Sequence, residues 1–477
     1  MLKVSDSVKS AYIYNEEKRH IVVSFPEISV TLQESQIQAE SFELEESLLE
    51  QNSIEFIGCI SSCAKISIAS VPQKLKNKKV VISIYTDNTQ TEPVPLFTGY
   101  VVDDKRTSNK RLRNIVAYDE IYSLSDKDVT EWFNTQVALL EAGNTVTIKQ
   151  FRNRLFTLLG ITQKKATLAN DSFSIKKLTN MVKGEDEEAD TEEEEKIYAL
   201  DLIKAICQIN GVFGIIGRDG KFVYRRLGVD NENDNGAYPG VDENGGLYLP
   251  FVPGLGSIDV LTDATHYASY RSVSYEDYEV KGIQRVYVRQ DDKSKAGYAG
   301  ENHKYRYFVQ GNRFTLGTTK AERKKIAEGI LKKVSGVTYT PFTASCIGLP
   351  YLEVGDPVSF YVYDFEESDK QGEDVYVMKS FYVLSRTLKG IQSMTDTLSA
   401  QGEEKQRRFV SDLGVREDVS TAEIKEQVDK NTSDISTQGD RITALEEASG
   451  EWNFVMVDSV PTNPTPKTIY FVKGTAG

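Results

Sequence analysis

Apolar and polar residues alternate along much of this chain, which is the pattern of a β-strand with one buried face. The clearest examples are residues 65–69 (KISIA) and 81–85 (VISIY). Strand-like segments follow one another at 20–25, 29–32, 41–44, 65–69, 80–85, 97–102 and 113–118. Many short strands without a long helix predict that residues 1–128 form a first β domain, either a barrel or a sandwich.

The period of the pattern changes from two to about 3.6 after residue 128. Residues 147–160 and 199–209 carry apolar side chains at helical spacing, and Gly160 and Gly211 stand where these helices should end. Residues 212–216 and 221–225 flank an Arg-Asp-Gly turn, which predicts a hairpin. We therefore expect residues 129–250 to form an α+β insertion.

Strand patterns return in residues 251–405, which we interpret as a second β-rich domain containing one helix. The helix is predicted at 319–334. The predicted strands lie at 279–289, 305–309, 312–316, 344–348, 357–363, 375–385 and 392–398.

A heptad repeat near the C-terminus predicts a coiled-coil stalk within residues 406–450. Its spacing alternates between four and three residues and leaves a narrow apolar seam, which needs a partner helix to be buried. The seam residues are Ile424, Val428, Asn431, Ile435, Gln438, Ile442 and Leu445. The alternative is a helix that packs on its own domain. Residues 451–477 form a small β tip, in which 454–457 and 468–472 are expected to pair as a hairpin.

Composition restricts the function of the chain. The formal net charge is −14 over 477 residues, which argues against stable nucleic-acid binding and suits a surface along which nucleic acid slides. No stretch approaches the ~20 apolar residues of a membrane span, and the N-terminus lacks the apolar core of a signal peptide. The cysteines Cys59, Cys63, Cys207 and Cys346 are expected to be core thiols of a protein assembled in a reducing cytoplasm.

The sequence contains no recognisable catalytic or cofactor-binding motif, so we expect no enzyme activity, no cofactor and no metal centre. The three histidines, His20, His266 and His303, are far apart and form no metal-binding pattern. Residues 184–195 (GEDEEADTEEEE) predict a mobile, self-repelling loop.

One loop gives a weak match to a calcium site. In residues 228–246, the side chains at calcium-loop positions are Asn231, Asn233, Asn235, Gly236 and Asp242. Neutral asparagines and an internal Pro239 favour an ordinary polar loop instead.

Seven short motifs occur in order along the chain: 40–47 (ESFELEES), 54–58 (IEFIG), 97–101 (FTGYV), 202–222 (LIKAICQINGVFGIIGRDGKF), 311–314 (GNRF), 352–358 (LEVGDPV) and 383–391 (VLSRTLKGI). Taken together, these motifs resemble the baseplate or tail-tip hub proteins of tailed phages, or of phage-derived particles, from Gram-positive bacteria. The resemblance covers about residues 1–405. Residues 428–435 (VDKNTSDI) resemble a layer of trimeric stalks in phage fibres and adhesins.

This resemblance implies a mainly β protein with two β-barrel-like hub domains, the α+β insertion, the stalk and the tip. It implies a homotrimer that caps a hexameric tail tube in the virion. The expected partners are further copies of the chain, the tail tube or distal tail protein, the tape-measure protein, and spike or fibre components. An appended peptidase or lysozyme domain is not recognisable. The alternative is a cell-surface or carbohydrate-binding fibre protein, which the stalk and tip alone would favour.

Overall fold

The computed structural model describes most of the chain up to residue 402 and parts of the C-terminal region. The described residues are 2–13, 17–49, 56, 58–106, 111–183, 192–227, 265–267, 270–291, 294–301, 305–372, 374–402, 409–410, 453–459, 461–463 and 468–472. The chain divides into a main unit (Met1–Asp291 and Ala296–Asp418) and a second unit (Asp292–Lys295 and Val419–Gly477).

The main unit is mainly β with several helices, as the sequence predicts. Its helices are α1 (Asp6–Ile13), α2 (Glu120–Leu124), α3 (Thr130–Glu141), α4 (Ile148–Leu159), α5 (Ala199–Asn210), α6 (Lys320–Val334) and α7 (Phe365–Gln371). The strands of the first β region are β1 (Arg19–Phe25), β2 (Val30–Leu32), β3 (Glu43–Ser47), β4 (Cys63–Ala69), β5 (Lys79–Thr86), β6 (Val94–Arg106) and β7 (Leu112–Tyr118).

Four short strands follow between the helices, and the remaining strands of the main unit come after residue 264. The four are β8 (Met181–Lys183), β9 (Glu192–Glu194), β10 (Phe213–Ile216) and β11 (Phe222–Arg225). The second β region contains β12 (Thr265–Tyr267), β13 (Tyr270–Tyr275), β17 (Phe342–Ile347), β18 (Pro357–Tyr363), β19 (Tyr376–Tyr382), β20 (Ser385–Lys389) and β21 (Thr395–Ala400). A further sheet contains β14 (Arg285–Arg289), β15 (Gly297–Gly300), β16 (Arg306–Gln310) and β22 (Phe409–Val410).

One continuous sheet joins the two β regions. Its strand order is β13-β17-β21-β20-β3-β4-β7-β6-β5-β1-β2. Strand β3 pairs antiparallel with β4 on one side and with β20 on the other, so Glu46 lies opposite Arg386 and Leu44 opposite Leu388. The two β regions therefore share a hydrogen-bonded ladder, although a long insertion separates them in sequence.

Both β regions curl back on themselves at their ends. Strands β12, β18 and β19 form a separate sheet, and only Val383 and Leu384 separate β19 from β20 in the main sheet. In the first β region, Ile37 after β2 makes an isolated bridge to Ile68 in β4. Within the described residues the main sheet ends at β13 and β2, and these strands do not pair into a closed ring.

The helices at the predicted positions 147–160, 199–209 and 319–334 are confirmed as α4, α5 and α6. Capping boxes start two of them: Thr147 and Gln150 bond each other's backbone at α4, and Thr319 and Glu322 do so at α6. Gly160 and Gly211 adopt the left-handed conformation that ends α4 and α5. Helix α5 is buried on nearly every side, and it packs near the fully buried hairpin β10–β11.

Several local predictions are wrong. The predicted strand 312–316 is a 3-10 turn (Arg313–Thr315), because the Asn312 side chain accepts a hydrogen bond from the Phe314 amide. Residues 375–385 form two strands, since Val383 and Leu384 make the corner between sheets. Of residues 279–289, only Arg285–Arg289 is a strand.

Four helices of the described residues were not predicted, namely α1, α2, α3 and α7, and α2 and α7 are only five and seven residues long. Helix α3 has polar residues between its apolar ones, which weakens the helical period, and α1 is short.

In the second unit, β23 (Asn453–Val457) and β24 (Thr468–Val472) pair with each other in parallel. The predicted hairpin is therefore wrong, because a hairpin requires antiparallel strands. The connection between the strands is ten residues long and contains Pro461, Pro464 and Pro466, which is too long and too proline-rich for a tight turn.

Candidate functional site

The contact between the two β regions is the most highly organised polar site in the described part of the chain. At its centre Arg386 is buried on β20, and its guanidinium binds both carboxylate oxygens of Asp396 at 2.7 and 3.0 Å. The same guanidinium donates to the carbonyls of Leu349 and Leu352 and lies 3.5 Å from the Glu46 carboxylate. Arg386 thus connects β20, β21 and the segment before β18 to β3.

The hairpin β10–β11 adds a second arginine at its turn. Arg218 is buried, and its guanidinium lies 3.2 Å from the same Glu46 carboxylate. It also donates to the carbonyls of Pro350 and Leu352. The carbonyl of Arg218 accepts a hydrogen bond from the Thr98 hydroxyl of β6 at 2.7 Å. The Arg-Asp-Gly turn that the sequence predicts therefore reaches both β regions.

A third arginine, Arg225 on β11, holds the turn before β18. Its guanidinium donates to the Val354 carbonyl at 2.8 Å and contacts the carboxylates of Glu353 at 3.1 Å and Asp356 at 3.4 Å. The other oxygen of Asp356 accepts from the Glu353 amide at 2.7 Å. Gly355 has φ +88, and a Cβ there would press on the Arg225 side chain at 3.1 Å.

We call these residues the arginine node: Arg218, Arg225 and Arg386 with Glu46, Glu353, Asp356 and Asp396. Burial is the largest single influence on Glu353 and opposes its ionisation, but the positive charges around it, led by Arg225 and including Arg218, together outweigh burial and lower the pKa of this carboxyl to about 2. Buried charges are stable only when paired and hydrogen-bonded, so the node fixes the relative positions of the segments that supply its members.

A second polar contact joins the β20–β21 turn to the first β region. The Glu40 carboxylate accepts hydrogen bonds from the amides of Ile391 at 2.8 Å, Gln392 at 3.0 Å and Ser393 at 3.3 Å. The backbone of Glu40 is left-handed, with φ 54, which is strained for a residue with a Cβ. The Gln392 side chain also accepts from the Arg19 amide at 3.1 Å.

The side chain of Arg19 contrasts with the node. It is fully buried and stacks on the Tyr12 ring of α1, with its guanidinium carbon 5.4 Å from the ring centroid. No described residue accepts a hydrogen bond from this guanidinium, and the Tyr12 hydroxyl likewise has no partner among them. Burial lowers the pKa of Arg19 and raises the pKa of Tyr12. Helix α1 therefore covers an arginine whose charge is poorly compensated.

Only some of the residues that the sequence analysis considered as candidate sites belong to the part of the chain that the structure describes. His20 lies near the surface, where its ring nitrogens contact Glu34 at 2.8 Å and Asp87 at 2.6 Å. The backbone of His266 is part of β12. His303, the calcium-loop residues (Asn231, Asn233, Asn235, Gly236 and Asp242) and residues 184–191 of the acidic tract lie outside the described residues.

All four cysteines are buried and free of disulfide bonds, which confirms the prediction of core thiols. The described residues contain no group of three or more metal-ligating side chains. None of the helices in the described ranges is long and apolar enough to cross a membrane.

The whole seam, Ile424, Val428, Asn431, Ile435, Gln438, Ile442 and Leu445, also lies outside the described residues and stays a prediction.

Sequence reasoning did not single out the arginine node. One signal was available, because Arg386 and Leu388 share the face of β20 that should be buried, so an arginine stood at an apolar position. Its carboxylate partners come from distant segments, and the sequence pattern does not pair them.

No protein-family model matches the chain, and no curated protein matches it. Several solved structures align with most of the chain at TM-scores below 0.5. A tail protein from Neisseria meningitidis MC58 has a TM-score of 0.40 and 11% identity, over 83% of this chain and 100% of that one. The 43 kDa tail protein of prophage MuSo2 from Shewanella oneidensis has a TM-score of 0.41 and 11% identity, over 81% and 98%. The prophage tail protein gp18 from Listeria monocytogenes EGD-e has a TM-score of 0.38 and 13% identity, over 80% and 95%.

Replacing Arg386 by Met should lower the free energy of unfolding by about 3–5 kcal/mol, because Asp396 and Glu46 would then be buried with less compensating charge. Chemical denaturation of the purified variant measures the change. The Lys65→Met variant is a suitable control. Lys65 contacts Glu43 and Glu45 on the solvent-facing side of the sheet, so its removal should cost about 1 kcal/mol or less. Equal losses in the two variants would contradict the role of the node.

The same substitution at Arg19 should act in the opposite direction. Arg19→Met removes a buried charge that has no hydrogen-bond partner among the described residues, and it keeps an apolar side chain against Tyr12. We therefore expect the free energy of unfolding to rise by about 1–3 kcal/mol in the same denaturation experiment. A loss as large as that of Arg386→Met would show that the Arg19 charge is compensated.

Acidification should weaken the node through Glu353. The folded-state pKa lies below the unfolded value of about 4.3, so the stabilisation is complete above that pH and is lost as the pH falls towards 2. Glu353→Gln should be less stable than the wild type at pH 6. When the pH is lowered from 4.5 to 3, the free energy of unfolding of Glu353→Gln should fall by about 1–2 kcal/mol less than that of the wild type. Denaturation curves with parallel pH dependences would refute this assignment.

Proposed function

We propose that this chain is a structural, non-enzymatic subunit of a phage tail or phage-derived particle, and that it forms the homotrimeric hub at the distal end. The hub would cap the hexameric tail tube and connect it to spike or fibre components. The observation that carries the proposal is the joining of two β regions through β3–β20 and the arginine node. Such a junction suits a subunit that must hold two docking domains in a fixed relation under load.

The two β regions fit the role of the paired barrels that the sequence resemblance implies. In the second β region the chain passes from one sheet to the other at a corner of two residues, Val383 and Leu384. In the first β region Ile37, in the loop that follows β2, forms an isolated β-bridge with Ile68 of β4. We interpret both as barrels formed by bent strands, so that three chains would present six barrels to a sixfold tube.

The seam at residues 424–445 would hold three copies together, and the pair β23–β24 would form the distal tip. In this arrangement the barrels would contact the tail tube or distal tail protein, and the tape-measure protein would end at the hub. The net charge of −14 suits a lumen through which DNA slides. The protein would be assembled in the host cytoplasm and remain in the virion at the tail tip.

Carbohydrate binding at a cell surface is the second candidate, because two exposed tyrosines lie at one end of β18–β19. Tyr363 and Tyr376 are paired across the strands, are 42% and 45% exposed, and have ring centroids 5.7 Å apart. Exposed aromatic clusters of this kind often mark binding surfaces. Tight and specific glycan-array binding that is lost in Tyr363→Ala would favour this function over the hub.

The full-length chain should have three times the mass of one polypeptide in light scattering after size-exclusion chromatography. Ile435→Asp places a charge in the predicted seam and should reduce the mass towards that of a single chain. Ser433→Asp makes a similar change two residues earlier, outside the seam, and should leave the trimer intact.

Two outcomes would count against the hub. A wild-type chain that is monomeric at concentrations of tens of micromolar would contradict the proposed trimer. A trimer that both variants preserve would show that copies associate elsewhere. Negative-stain images with threefold averaging should show six β lobes around an axis, and any other symmetry would require a different assembly.

A further inference from the structure

Two buried thiols from distant segments lie next to each other. Cys59 belongs to the segment that leads into β4, and Cys207 lies on α5, 148 residues later. Their sulfur atoms are 3.8 Å apart, and both side chains are buried. This pair connects the first β region to the insertion at a point away from the arginine node.

The surrounding residues leave room for both sulfur atoms. Gly214 on β10 faces the pair, and a Cβ at this position would lie 2.7 Å from the Cys59 sulfur and 3.0 Å from the Cys207 sulfur. A larger residue would therefore push the thiols apart. The other cysteines have different neighbours, since the Cys346 thiol contacts the Asp396 carbonyl and Cys63 contacts Tyr118.

We propose that Cys59 and Cys207 form an oxidisable pair that closes to a disulfide when the protein meets a hydroperoxide. The Cys59 sulfur attacks one peroxide oxygen, the O–O bond breaks, and hydroxide leaves to become water with a thiol proton. The Cys207 sulfur then attacks the Cys59 sulfenic acid, the S–O bond breaks, and a second water leaves. The pair loses two electrons, and hydrogen peroxide is reduced to two waters.

Cys59 is the thiol that reacts first, because it is 3% exposed whereas Cys207 is fully buried on α5. The same burial raises the pKa of the Cys207 thiol well above its ordinary value. Closing the bond shortens the distance between the two sulfur atoms from 3.8 Å to about 2.05 Å. The disulfide would tie the insertion covalently to the first β region.

The experiment uses the full-length protein treated with hydrogen peroxide, quenched, unfolded and alkylated with iodoacetamide. We expect a mass about 2 Da lower before alkylation, two alkylated cysteines rather than four, and a proteolytic peptide pair that links Cys59 to Cys207. The thermal midpoint of the oxidised protein should rise by several degrees and return to its original value after reduction, because the closed loop restricts the unfolded chain.

Matched variants separate this pair from general oxidation. Cys59→Ala and Cys207→Ala should each abolish the 2 Da loss, whereas Cys63→Ala and Cys346→Ala should keep it. If either of the first two variants fails to fold, peptide mapping of the wild type alone decides the matter. Four alkylated cysteines after peroxide, a link to Cys63 or Cys346, or oxidation to sulfinic acid without a link would each overturn the proposal.

Discussion

Glu46 is the residue on which the arrangement of the two β regions depends. Its carboxylate lies between the guanidiniums of Arg218 and Arg386, and its own strand, β3, pairs with strands of both regions. This carboxylate, whose side chain is 10% exposed, pairs with both cations, and each cation comes from a different part of the chain. The hydrogen-bonded ladder sets the register, and the contacts of Arg218 hold the turn of the hairpin β10–β11 against both β regions.

The polar contacts around this centre have different roles. The guanidiniums of the arginine node donate to carboxylates and to backbone carbonyls of residues 349–354, although the Nε of Arg218 has no partner among the described residues, so the node specifies geometry as well as contributing stability. Glu40 adopts a strained left-handed backbone conformation, and its carboxylate accepts three amide hydrogen bonds that offset this strain. Arg19 is the exception, because its charge is buried under α1 without such bonds. The N-terminal helix is therefore held by its apolar residues Val8 and Tyr12 more than by polar contacts.

Whether a feature could be predicted from the sequence depends on how far apart in the sequence the interacting residues lie. Capping residues such as Thr147 and Gly160 act within one turn, so the bounds of α4 were predictable to within a residue. The corner at Val383 and Leu384 was missed, because a buried strand and a buried bend have the same apolar pattern. The node depends on Glu46 meeting Arg386 across 340 residues of sequence, and no local pattern carries that information.

The position of β3 also has a consequence for synthesis on the ribosome. Its partner β4 emerges soon after it, but β20 follows roughly 340 residues later, which corresponds to about 20–70 s of translation at typical rates. During that interval the nascent chain displays an unpaired strand edge bearing Leu44, to which a neighbouring nascent chain could add. The glutamates of this strand, at positions 43, 45 and 46, would keep such edges apart by mutual repulsion until the second β region arrives.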